Sequence, residues 1–195
     1  MTELSTVIAA QTELNGLPVY YCDYTDSSEI ELVSFVDEPA VDVSWIALSK
    51  YSTDCVKQPQ QPLYLSSDEY HTVTGVVLRA GYPIYRHQEG REFYIVFTKA
   101  SIRKYVERFF REKRTSDVNL DHSDKTDGCY LIESYFVGRD NRFGVEEGSW
   151  VCTYKVDNSD VWKDIKDGKF KGFSVEAIVD LREDDFEFEI DQILK

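Results

Sequence analysis

The feature that most limits what this chain can become is the brevity of its apolar runs. Stretches rich in Val, Ile, Tyr and Phe recur along the sequence, and Gly, Pro, Asn or Asp closes many of them after a few residues. Such runs are strands, because β-branched and aromatic side chains suit a pleated surface and turn residues end it. The candidates are 19–22, 30–36, 43–48, 73–80, 84–86, 92–97, 118–122, 129–137, 150–156, the stretch from 174, and an alternating 186–190. Only once does the period lengthen decisively. Ile102, Tyr105, Val106, Phe109 and Phe110 fall at i, i+3, i+4, i+7 and i+8, one face of a helix, with Thr98 as its N-cap. Its opposite face, with Arg103, Lys104, Glu107, Arg108 and Lys113, reads as solvated. A shorter helix runs from Asn158 or Ser159 to Lys166, with Val161, Trp162 and Ile165 inward and Gly168 as its stop.

Strands that follow one another through turns rather than helices predict a β-rich α+β fold. The expectation is a mostly antiparallel, barrel-like sheet with one long and one short helix packed outside. Residues 118–122 and 129–137 read as the arms of a hairpin, and 1–195 as a single domain. Within it, 50–70 reads as a mobile loop and 182–195 as an acidic tail.

Composition narrows the function. Basic residues number 22 against 36 acidic, a net charge of −14, which argues against nucleic acid and against an anionic membrane surface as partners. No apolar run approaches the ~20 residues that span a bilayer, and the Met1 start shows no leader pattern. Cys22, Cys55, Cys129 and Cys152 form no CxxC pair, so they read as reduced thiols rather than zinc ligands. No phosphate-binding or dinucleotide glycine motif occurs, and no cofactor or metal is expected.

One serine and one histidine stand out. Ser174 sits in Lys171-Gly172-Phe173-Ser174-Val175-Glu176-Ala177, near the start of a strand and just after a turn. A serine hydroxyl becomes a nucleophile when a base takes its proton, and histidine titrates near working pH. Of the three histidines, His71 and His87 read as exposed surface residues, whereas His122 ends the Val118-Asn119-Leu120-Asp121 strand in a half-buried setting. A third group should orient the imidazole. Glu133 is a candidate from the strand expected to pair with that of His122. Glu176 is another, because strand alternation puts it on the face of Ser174. Asp121 should point away. Oxyanion donors could come from the Gly172 turn or from the 138–148 loop with Arg139 and Arg142. Cys129 with His122 is an alternative nucleophile–base pair.

Ordered blocks then resemble a known family. They are IELVSFVDEPA at 30–40, WIAL at 45–48, PIYR at 83–86, EFYIVF at 92–97, VNLDH at 118–122, YLIESY at 130–135, GSWV at 148–151, KVDN at 155–158, VW at 161–162 and GFSVE at 172–176. Across about residues 29–180 the chain resembles the XkdF-like serine proteases of tailed phages and phage-like elements, grouped with the prohead (capsid maturation) proteases. The resemblance implies a herpesvirus assemblin-like fold, Ser174 as nucleophile and His122 as base; the third member does not transfer. It implies scaffold and major capsid proteins as substrates, with self-cleavage, inside an assembling prohead in the host cytoplasm. A homo-oligomer is left open. Many relatives are longer and carry a charged helical scaffolding segment. Ending at Lys195, this chain implies either a separate scaffold or a truncated or processed form. Two rivals stand beside the protease. One is a non-enzymatic virion or scaffold-associated structural protein on the same fold. The other is a β-barrel binding module that uses the 50–70 loop.

Overall fold

The computed structural model describes residues 13–39, 69–88, 90–123, 125–139 and 144–182. The expected strand at 43–48, the alternating run at 186–190, the 50–68 part of the loop, Cys55 and the tail from 183 onward lie outside them.

Local chemistry explains most element boundaries. Strands β1 (Glu13–Leu14) and β2 (Leu17–Asp23) form a hairpin. Asn15 and Gly16 supply its two positive φ values, +54° and +76°, as a type I′ turn demands. Strands β3 (Glu29–Val36) and β4 (Thr72–Leu78) follow, then the hairpin β5 (Pro83–Gln88) and β6 (Arg91–Phe97). Helix α1 spans Lys99–Arg111, and the Thr98 hydroxyl caps it by accepting from the Ser101 N–H at 3.0 Å. Next come β7 (Val118–Leu120), β8 (Cys129–Phe136) and β9 (Trp150–Val156). Helix α2 (Ser159–Lys166) is capped by Asn158, whose Oδ1 accepts from Asp160 and Val161, and Gly168 follows it at φ +78°. Strands β10 (Gly172–Ile178) and β11 (Asp180–Arg182) complete the described chain.

The strands form three sheets. One runs β1-β2-β6-β5, with β11 also on β2; the second is β10-β3-β7; the third is β4-β9-β8. Among the described residues six strand pairings are antiparallel, and β2–β6 and β3–β7 are parallel. The two helices and the antiparallel bias agree with expectation; the barrel does not. Among the described residues no sheet closes on itself. The expected hairpin of 118–122 with 129–137 is also absent: β7 pairs with β3 and β8 with β9. A turn-rich loop in sequence fixes only that the chain reverses, whereas pairing follows the buried faces.

The core lies between these sheets and α1, whose Ile102, Tyr105, Val106 and Phe109 are buried as the helical period requires. Phe109 meets Trp150 edge-on at 5.4 Å. Phe35, Tyr154 and Phe173 form an aromatic triangle with centroids 5.3–5.5 Å apart. Phe173 and Phe35 are register partners on β10 and β3, so this packing anchors the residues that flank them.

Candidate active site

Anchoring Phe173 against Phe35 places the next pair, Ser174 and Ser34, opposite each other on the other face. Ser34 is in turn the register partner of Asn119 on the parallel strand β7. A row of three buried polar residues therefore crosses the β10-β3-β7 sheet. Buried polar groups in otherwise apolar strands cost stability unless satisfied. Their presence here makes the row a candidate site.

The turn after β7 carries the histidine. Sequence periodicity extends that strand to His122, but β7 ends at Leu120. Asp121 and His122 instead take φ values of +49° and +55°, and the Ser123 N–H donates to the Leu120 carbonyl at 3.0 Å. That is the type I′ pattern without glycine, and each left-handed residue costs on the order of 1–2 kcal/mol. Contacts with β3 and the residue after it hold the turn. The Asp121 N–H donates to Phe35 O at 2.9 Å, and its carboxylate accepts from the Asp37 N–H at 3.2 Å. The His122 N–H donates to Ser34 Oγ at 3.1 Å. The strained turn thus sits over the serine row, and strain of this kind concentrates at functional sites.

The His122 side chain is exposed rather than half-buried, because it rides on this turn, and its Nδ1 lies 3.2 Å from Glu176 Oε1. The same oxygen accepts from Asn119 Nδ2 at 2.7 Å, and Asn119 Nδ2 also donates to Ser123 O at 3.1 Å. Asn119 is buried, and its Oδ1 has no partner among the described residues. Glu176 therefore engages one ring nitrogen, which leaves Nε2 for proton transfer. Ser174, His122 and Glu176 all line one cleft of about 540 Å³. Among the described residues no hydrogen bond joins the Ser174 hydroxyl to the imidazole. Catalytic hydrogen bonds often tighten only around substrate.

The other sequence candidates sit elsewhere. Glu133 is exposed on β8 and accepts from the Thr153 hydroxyl at 2.9 Å. Its strand pairs with β9 rather than with that of His122, and it does not line the cleft. Cys129 is buried on β8, and burial pushes its thiol up to about 12, the opposite of what a nucleophilic cysteine needs. Arg139 lies at the surface 3.6 Å from Glu147, and Arg142 is outside the described residues. Gly172 is paired with Val36 inside β10 rather than free in a loop. His71 is half-buried and stacks on Trp162 at 4.8 Å, against the expectation of an exposed residue, whereas His87 is exposed.

Sequence reasoning missed Ser34, Asn119 and Arg86, the last of which also lines the cleft. The signal for the first two was available: each is a lone polar residue inside an otherwise apolar run, LVSFV and VNL. Among the described residues no three metal-ligating side chains cluster, and no helix is long and apolar enough to cross a membrane.

A family model described as "Putative phage serine protease XkdF" matches residues 63–183, more than half of the chain. The phage-like element PBSX protein XkdF of Bacillus subtilis (strain 168) is 27% identical over 164 residues, which cover 82% of this chain and 56% of that protein. The chain therefore spans little more than half the length of this curated relative. No solved structure matches it.

Proposed function

From the chain's membership of this phage XkdF family, we propose that it is a serine endopeptidase acting in capsid maturation. Ser174 is the nucleophile, His122 the general base and Glu176 the group that orients the imidazole. The observation that carries this reading is the His122–Glu176 contact at 3.2 Å, in a cleft that Ser174 also lines. In this reading Nε2 takes the Ser174 proton as Oγ attacks a peptide carbonyl. His122 then protonates the leaving amine, and water, activated the same way, releases the acyl group. Asn119 is a positioning residue, because its amide holds the Glu176 oxygen that faces Nδ1.

Strand β10 lies at the edge of its sheet. An extended substrate adding to such an edge presents its backbone to the strand that carries the nucleophile. The substrates in this reading are the scaffold and major capsid proteins, with cleavage of the chain itself, inside the prohead in the host cell.

The test is co-expression with the scaffold and major capsid proteins of the same phage genome, read by intact mass of every chain. Defined cleavage by wild type and none by Ser174→Ala or His122→Ala supports the reading. Cleavage that survives Ser174→Ala removes Ser174 from the role. No cleavage under assembling conditions assigns the chain a structural place in the virion instead.

A further inference from the structure

The cleft has one Lys or Arg in its lining, Arg86 on β5. Its surroundings are unlike those of the other partly buried arginines. Arg79 meets Glu146 at 2.5 Å, Arg108 meets Glu29 at 3.7 Å, and Arg114 meets Glu29 at 3.1 Å. Arg86 has no carboxylate within ion-pair distance among the described residues, in a chain with 36 acidic side chains. Its one hydrogen bond there runs from Nη1 to the Tyr85 carbonyl at 3.0 Å. A guanidinium carries five N–H donors in a fork suited to a carboxylate, so most of its capacity is unused.

The hairpin face explains how this cation comes to lie against apolar wall. Ile84 and Arg86 alternate onto one face of β5. Their register partners Ile95 and Phe93 lie beside them on β6. All four line the cleft that Ser174 and His122 also line. Burial lowers the Arg86 pKa, as it does for a cation held partly away from water. Glu31, Glu38 and Glu176 line the same cleft, yet none is within ion-pair distance of Arg86.

We propose that Arg86 is the specificity residue of the cleft, binding the carboxylate of an Asp or Glu side chain in the substrate peptide while Ile84, Phe93 and Ile95 take a neighbouring apolar side chain. This rests on the endopeptidase reading for the word substrate, but the binding itself does not depend on turnover. An incoming carboxylate supplies the partner that Arg86 lacks among the described residues. A charge-assisted pair of this kind is worth enough to give about tenfold discrimination against an uncharged analogue.

The test uses the full chain carrying Ser174→Ala and a fluorescent positional-scanning peptide library, with each position fixed in turn as Glu, Gln or Lys. The expected result is one position at which Glu binds about tenfold more tightly than Gln, with Lys weakest. Arg86→Gln and Arg86→Met should erase that difference. Arg86→Met should also raise the melting temperature of the free protein, since it removes an unpaired charge from apolar surroundings; that rise shows the variant is folded. No position with a preference for Glu, or a preference that survives both substitutions, overturns the proposal. Cleavage by wild type without acidic preference defeats Arg86 and spares the protease. Acidic preference in binding with no cleavage of any substrate does the reverse.

Discussion

Two polar rows cross two three-stranded sheets in this molecule, and they are built from nearly the same parts. In the β10-β3-β7 sheet the row is Ser174, Ser34 and Asn119. In the β4-β9-β8 sheet it is Thr74, Thr153 and Glu133, also in register. The second row satisfies itself: the two threonine hydroxyls are 2.9 Å apart, and Thr153 donates to Glu133 at 2.9 Å. The first does not. Asn119 Oδ1 has no partner among the described residues, and the row lies beneath a strained turn that carries a histidine. Buried hydroxyls in register with a carboxylate are therefore not enough to mark chemistry. An unsatisfied row that opens on a cleft and faces an imidazole is a different object from one whose hydrogen bonds close on themselves.

The largest expected difference between the rows is in activity. Ser174→Ala or His122→Ala should lower the rate of substrate cleavage by on the order of 10⁶-fold. Thr153→Val and Glu133→Gln should leave it near wild type; a large loss in Glu133→Gln would put the wrong carboxylate in the site. Glu176→Gln comes next, with a fall of about 10⁴-fold in kcat, because an amide favours the wrong imidazole tautomer.

Asn119→Ala should cost about tenfold in kcat with little change in KM, since it loosens the carboxylate rather than the substrate. Equal losses in kcat and stability would reduce it to a packing residue. Stability should sort the rows in the opposite sense. Thr153→Val leaves Thr74 without its hydroxyl partner and should cost about 1–3 kcal/mol in denaturant unfolding. Ser174→Ala removes a buried hydroxyl that makes no hydrogen bond among the described residues, and should leave the midpoint unchanged or raise it.

The smallest effect concerns the thiols that border neither row's chemistry. Burial pushes Cys22 and Cys129 up to about 12. These folded values lie above the ordinary thiol value of about 8.5, so their contribution to stability is complete below about pH 8.5. It is lost as pH rises towards 12. Maleimide at neutral pH should leave both residues unlabelled by peptide mass, and activity intact.

The strands from β2 to β10 were legible because alternation and turn residues are local signals. So were both helix caps, at Thr98 and Asn158. Ser174 and Glu176 could be placed on one face of one strand by the same logic. His122 was legible as a residue but not as a conformation, since nothing in VNLDH announces two successive left-handed residues. Contacts with Ser34, Phe35 and Asp37, remote in sequence, over-determine that turn.

By itself, then, the sequence determined most of the described strands and both helices, and which few residues are candidates for chemistry, because periodicity and side-chain type act over neighbouring positions. Only the tertiary structure decided that β7 pairs with β3 instead of β8. With that went the choice of Glu176 over Glu133 as the neighbour of His122 and the solitary Arg86 in the cleft. Strand pairing joins residues far apart in the chain. Its register follows from which apolar faces bury together, and no local pattern encodes that.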